Sequence, residues 1–167
     1  LAHRNGVLSA TTAFGKTVVA AWLIAQRGVN ALILVHTQAL LNQWQAALSQ
    51  FLRIDESLPL TAEKPTYGKI CEALIQDTLR QRKRCLIGQI GGGKNTAAGF
   101  VDIAMLQSLV RGGEVDLRVR EYGLVIVDEC HHVSAAGFEQ VLRDVPARYV
   151  YGLTATPARA DGHGPII

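Results

Sequence analysis

The chain has 167 residues, 49% hydrophobic and 19% charged, a balance that describes one soluble globular domain long enough to bury a substantial core. It holds no apolar run of about 18 residues, and its start lacks the charged, apolar and small-residue order of a secretory leader, which points away from membrane and export and toward the cytoplasm. Cys71, Cys85 and Cys130 are odd in number without CxxC spacing, which argues against a disulfide framework and a structural zinc site, while a formal charge of +3 suits an anionic partner without demanding one.

In chain order, apolar runs rich in Val, Ile and Leu alternate with longer helix-period stretches, the pattern of strand-helix units around a parallel sheet. Residues 6–10 read as a strand running into a turn. Lys16–Arg27 then reads as a helix with Val18, Val19, Trp22, Leu23 and Ile24 on one stripe, stopped by Gly28. Between them, Ala-Thr-Thr-Ala-Phe-Gly-Lys-Thr over residues 10–17 fits the phosphate-loop spacing, with alanine at the first glycine position. Such a loop aims backbone N–H groups at one point beside a helix N-terminus, where partial positive charge favours a polyphosphate. Lys16 would neutralise the β and γ phosphates, and the Thr17 hydroxyl would bind Mg2+, a hard cation that prefers oxygen. A Gly-Lys-Thr can also merely begin a helix; the strand before it and the helix after it favour the phosphate loop.

Ala31–Val35 is a short apolar strand, followed by a helix over Gln38–Phe51 with Leu40, Leu41, Trp44 and Leu48 at core spacing. Residues 55–84 are less regular, contain Pro59 and Pro65, end in the basic run at residues 80–84, and read as an insertion. That run is either a solvated helix end or a surface for DNA phosphates. Further strands follow at residues 85–90, 100–104, Leu124–Val127 and 149–153, with helices near residues 106–111 and 135–143. Residues 91–94, Gly-Gly-Gly-Lys, read as a surface turn within reach of DNA rather than a second anion loop, because no apolar helix follows them directly. Continuous apolar runs are what strands buried on both faces require. Trp22 and Trp44, at helix-core spacing, read as packing residues rather than base-stacking platforms.

Leu-Val-Ile-Val-Asp-Glu-Cys-His over residues 124–131 is an apolar strand ending in two acids. In open parallel sheets the ligand crevice lies beyond the carboxyl ends of the strands, which brings Asp128 and Glu129 beside the phosphate loop. Asp128 would hold Mg2+, and Glu129 would orient and deprotonate an attacking water. Alone, an acidic pair at a strand end is often a solvated turn; the upstream loop is what weighs against that. Cys130, His131 and His132 adjoin one another, and neighbours on one backbone rarely converge on one metal ion.

With these segments in place, the chain resembles superfamily 2 helicases of the DEAD/DEAH class, particularly the branch of restriction-enzyme motor subunits. Residues 11–17 match motif I of that family, residues 128–131 motif II and Thr154-Ala-Thr156 motif III, in order. Residues 153–162, 88–94 and 106–109 look like the restriction branch rather than RNA-directed relatives. The resemblance implies an α/β fold: a RecA-like P-loop NTPase domain, residues 1–167, with a mostly parallel central sheet and helices on both faces. It further implies ATP and Mg2+ as cofactors, with Thr12, Ala13, Phe14, Gly15, Lys16 and Thr17 around the nucleotide. DNA is the implied track, double-stranded ahead of single-stranded DNA or RNA, running across the opposite ends of two such domains. His131 would link the pocket to the nucleic-acid side, and Thr154 and Thr156 would couple ATP state to domain closure. Motif Ia falls on residues 36–40, where Thr37 would hold a phosphate, and motif Ib near residues 105–109, leaving Gln107 and Ser108 as polar candidates. Thr37 and Ser108 could instead satisfy orphan helix amides.

The chain departs from the family in places. Gln38 stands where many relatives carry arginine, Met105 replaces the common motif Ib threonine, and Ala13 replaces a motif I glycine. Phe14 is bulky and must point away from the nucleotide. The chain reaches only Ile167 after motif III, so a second RecA-like domain, and the arginine fingers it carries in relatives, are expected outside it. This portion alone is therefore expected to be nearly inactive as an ATPase. Two other readings stay open: a module that binds nucleotide or DNA without turnover, and a phosphate-loop enzyme acting on a small molecule.

Overall fold

The computed structural model describes residues 3–11, 14–52, 54, 86–130 and 135–155. The suggested insertion at 55–84 with its basic run, and Cys71 and Cys85, lie outside those residues. In chain order the elements are β1 (Asn5–Ser9), α1 (Lys16–Arg27), β2 (Ala31–Val35), α2 (Gln38–Phe51), β3 (Ile87–Gly91), β4 (Lys94–Asn95) and β5 (Val101–Met105). There follow α3 (Leu106–Leu109), β6 (Val110–Arg111), β7 (Glu114–Val115), a 3-10 turn (Leu117–Glu121), β8 (Leu124–Val127), α4 (Ala135–Asp144) and β9 (Tyr149–Thr154).

The strands form a seven-stranded sheet in the order β1-β9-β8-β2-β5-β3-β4. Every pairing is parallel except the last, where β4 folds back on β3. β2 and β8 lie side by side near the centre, and every residue of both is buried, as their unbroken apolar runs require. Period-two alternation divides the side chains between two cores. Ala31, Ile33, Val35, Leu124 and Ile126 meet α1 and α2 on one face. Leu32, Leu34, Val125 and Val127 meet Leu109, Val119 and Val141 on the other. Each fully buried Leu, Ile or Val side chain here contributes about 1.5–3 kcal/mol relative to exposure, and covering both faces is what makes a parallel sheet stable.

Helix α1 matches its expected bounds but packs through a different stripe. Ala20, Ala21, Leu23 and Ile24 are buried, whereas Val18 is 47% and Trp22 50% exposed. The buried stripe thus pairs two alanines with Leu23 and Ile24, while Val18 and Trp22 fall on the outward side of the helix. Gly28 ends the helix at φ 60°, its N–H reaching Ile24 O at 3.2 Å, the left-handed stop that glycine permits. The helix expected at residues 106–111 is a single turn. Val110 and Arg111 instead pair antiparallel with Val115 and Glu114 across Gly112 and Gly113, both at positive φ, as a two-residue turn in a right-twisted hairpin demands.

Candidate functional site

The carboxyl ends of β1, β9 and β8 bring the first group of predicted residues together. Gly15 caps α1 in the left-handed region at φ 86°, so the chain turns sharply from the loop into the helix. The Phe14 N–H meets Thr11 O at 3.0 Å, and the Val18 and Val19 N–H groups meet Gly15 O. Lys16, in the first turn, is buried to 7% exposure. Its Nζ donates to Ala10 O at 2.9 Å and Thr11 O at 3.4 Å, which aims the ammonium into the curve of the loop. Phe14 is 62% exposed, in keeping with the outward placement its bulk requires. Thr17 is half-buried. Thr12 and Ala13 lie outside the described residues.

Asp128 follows β8 directly and is 7% exposed. Its backbone N–H bonds Leu34 O at 3.0 Å, extending the β8–β2 ladder by one residue. Its Oδ2 accepts the Trp44 indole N–H at 2.7 Å and its Oδ1 accepts the Glu129 N–H at 3.0 Å. Burial pushes the Asp128 carboxyl above the usual carboxylate range; the Trp44 bond opposes this, the Glu129 charge adds to it, and the positive charge of Lys16 opposes it. Glu129 itself sits at φ 49°, a left-handed conformation that costs a non-glycine residue about 1 kcal/mol or more and tends to mark functional turns.

Strand β9 ties these two turns to each other. Ala10 N–H donates to Thr154 O at 3.0 Å, and Cys130 N–H donates to Leu153 O at 3.0 Å. Thr154, 2% exposed, is thus wedged between the phosphate-loop segment and the acidic turn. Thr156 and His131 fall outside the described residues.

The second group leaves the carboxyl ends of β2, β5 and β3. Because those strands run parallel to β1 and β8, the candidates stand on the same edge of the sheet as Lys16 and Asp128, displaced sideways, and not at the opposite end. Thr37 caps α2, its hydroxyl accepting the Leu40 N–H at 3.2 Å, so the capping role is realised. Ser108 lies inside the single turn of α3 and is not its cap. Gln107 Nε2 donates to His36 O at 2.9 Å, which joins α3 to the end of β2. A β-carbon at Gly91 would stand 2.7 Å from Ser108 Oγ, and one at Gly92 would stand 1.8 Å from Gln38 Oε1. The glycine turn is therefore packed beneath both predicted nucleic-acid segments.

Sequence reasoning missed two features here. Trp44 was read as packing alone, yet its indole reaches Asp128. Beside the glycine turn, Lys94, Arg111 and Arg118 line a cleft of about 290 Å³ together with Ser108 and Asn95. Arg118 bridges Asp116 at 2.6 Å and Asn95 Oδ1 at 2.7 Å, tying the two hairpins. The Gly112-Gly113 pair between β6 and β7 was the available signal.

Comparison with known proteins places this arrangement. Over 162 residues, 97% of this chain, it is 27% identical to the DNA 3'-5' translocase XPB2 of Sulfurisphaera tokodaii, of which it covers 29%. It is 26% identical over 160 residues to the general transcription and DNA repair factor IIH helicase/translocase subunit XPB of Encephalitozoon cuniculi, covering 95% of this chain and 21% of that protein. The chain thus spans under a third of the length of either relative. The crystal structure of the UvsW helicase from bacteriophage T4 superposes with a TM-score of 0.65 at 18% identity, over 92% of this chain and 48% of that one. The expected RecA-like architecture is thereby the observed one. A family model matches residues 2–159, and the chain belongs to that family, described as type III restriction enzyme, res subunit.

Proposed function

We propose that this chain is the ATP- and Mg-binding half of a nucleic-acid-dependent motor that couples ATP hydrolysis to movement on DNA. The observation that carries the reading is the burial of Lys16 and Asp128 at one sheet edge, their turns joined through the backbone of β9. A buried ammonium pointing into a loop at a helix N-terminus suits a polyphosphate. A buried carboxylate and the Thr17 hydroxyl are oxygen donors of the kind a hard cation takes. Mg2+, when bound, would neutralise charge on the β and γ phosphate oxygens. Asp128 and Thr17 would hold it, Lys16 would hold the phosphates, and Glu129 would orient and deprotonate the attacking water.

Thr154 is the candidate coupling residue because its carbonyl already holds the phosphate-loop segment; Thr156 and His131 are assigned the same work by the family resemblance alone. Thr37, Gln107 and Ser108 form the proposed nucleic-acid edge. DNA is the proposed track, in line with a relative named as a DNA translocase, and the preference for double-stranded DNA rests on the resemblance to the restriction branch. A second RecA-like domain would complete the pocket, and without its arginine, worth roughly 10³–10⁵ in turnover, this portion alone would hydrolyse ATP feebly.

The test is steady-state ATP hydrolysis by the full-length protein with double-stranded DNA, single-stranded DNA, RNA or no polymer. Stimulation by one polymer, lost in Glu129→Gln, supports the motor and names its track. Turnover indifferent to every polymer favours a small-molecule enzyme, and tight nucleotide binding without turnover favours a binding module.

A further inference from the structure

Tryptophan is amphipathic: when its ring is buried, its one N–H must find an acceptor. Trp44 is 1% exposed on α2, and it packs on the sheet face shared with Leu41, Leu48 and Ile33. Its acceptor is not a nearby backbone carbonyl but the carboxylate of Asp128, 84 positions away in sequence and 2.7 Å away in space. The other oxygen of that carboxylate takes the Glu129 N–H at 3.0 Å. With one fixed donor on each oxygen, the carboxylate plane is held against rotation, and each oxygen keeps acceptor capacity for a cation. The helix that supplies the donor is capped by Thr37, so its first turn stands at the proposed nucleic-acid edge and its middle reaches the proposed nucleotide pocket.

We infer that Trp44 is a positioning residue for the metal-holding carboxylate: its indole N–H fixes the orientation in which Asp128 meets the cation. This rests on the reading of Asp128 as a Mg2+ ligand. Partners that orient a metal's ligands govern affinity for the metal, and their loss typically weakens it about 10- to 100-fold. A residue that only fills the core would change folding stability and leave that affinity alone.

The experiment measures equilibrium binding of a fluorescent ATP analogue to the full-length protein across a Mg2+ titration, with ATP hydrolysis followed in parallel. Trp44→Phe keeps an aromatic ring and removes the donor. It should raise the Mg2+ concentration at half-saturation about tenfold or more, while kcat at saturating Mg2+ changes much less. Trp44→His places a ring nitrogen where the indole nitrogen stood and should restore most of the affinity. Leu48→Ala opens a cavity on the same helix face without touching the carboxylate; it should lower the melting temperature and leave the Mg2+ dependence as in the wild type.

A Trp44→Phe protein with wild-type Mg2+ dependence overturns the proposal, as does a Leu48→Ala protein that shifts it equally. Asp128→Asn separates the two layers. If it abolishes the Mg2+ dependence while Trp44→Phe leaves it intact, the metal site stands and the positioning role falls. If Asp128→Asn binds nucleotide with unchanged Mg2+ dependence, the site reading itself falls.

Discussion

Gly88 and Asp102 face one another in register across β3 and β5, and Asp102 Oδ1 lies 1.8 Å from where a β-carbon at position 88 would stand. Asp102 is fully buried. It accepts the Ala98 and Gly99 N–H groups at 2.7 Å each, and the Tyr122 hydroxyl at 2.6 Å. The carboxylate thus pins the strand-to-strand connection over the face of β3, and only a residue without a side chain leaves it room. Gly88→Ala should destabilise the fold by about 3 kcal/mol or more, since the clash is with a buried, hydrogen-bonded carboxylate rather than a flexible tip. Thermal denaturation measures this, and an unchanged melting temperature would sink the argument.

Tyr122 supplies the third donor to that carboxylate. Burial, then the Asp102 charge and the hydrogen bond to it, push the phenol far above its ordinary range, which favours the protonated, donating form. Tyr122→Phe leaves ring packing intact and removes one bond from a buried charge, a loss of about 1–3 kcal/mol. Denaturant unfolding should show a lower midpoint with an unchanged slope.

Asp116 is held below its ordinary 3.8 by the hydrogen bond from the Arg118 side chain, against a smaller opposing effect of burial. A carboxyl depressed in the folded state contributes stability that is present above its unfolded value and lost as pH falls through the folded one. The wild-type melting temperature should therefore exceed that of Asp116→Asn at neutral pH, and the gap should close as pH drops below about 4. A gap that widened with acid would contradict the pairing seen here.

At the proposed nucleotide pocket, Lys16→Ala and Glu129→Gln should fail differently. Removing the buried ammonium should weaken ATP binding itself. Removing the base from Glu129 should spare binding and lower turnover by about 10²–10⁴-fold. Nucleotide binding and single-turnover hydrolysis, measured side by side, separate these outcomes; equal loss of binding in both would remove Glu129 from its assigned role.

Much of this organisation was legible in the residues. β2 and β8 were readable because each is an unbroken apolar run, the pattern that burial on both faces favours, and α1 because glycine punctuates both its ends. The stripe of α1 was not readable, since apolar residues surround the helix and local hydrophobicity does not distinguish exposed Val18 and Trp22 from buried Ala20 and Ala21. The single turn of α3 was hidden because periodicity over so few residues cannot distinguish a helix from the hairpin that follows. The bond from Trp44 to Asp128 depends on β8 lying beside β2, which no local pattern reveals. Motif spacing located Lys16, Asp128 and Thr154 as candidates. The mutual backbone contacts that hold their turns together emerged only from the strand order.

At the amino edge of the sheet, Arg27 in the last turn of α1 lies 4.1 Å over the Tyr149 ring. It also donates to the Tyr151 hydroxyl and to His3 O. Among the described residues, the partners of that clasp are not those of Lys16, at the opposite end of α1, or of Asp128, just beyond the carboxyl end of β8. For protein engineering the molecule therefore has a handle and a blade. Substitutions that tighten the clasp should add independently to changes in the pocket, so thermal robustness and catalytic properties can be selected in separate rounds and then combined.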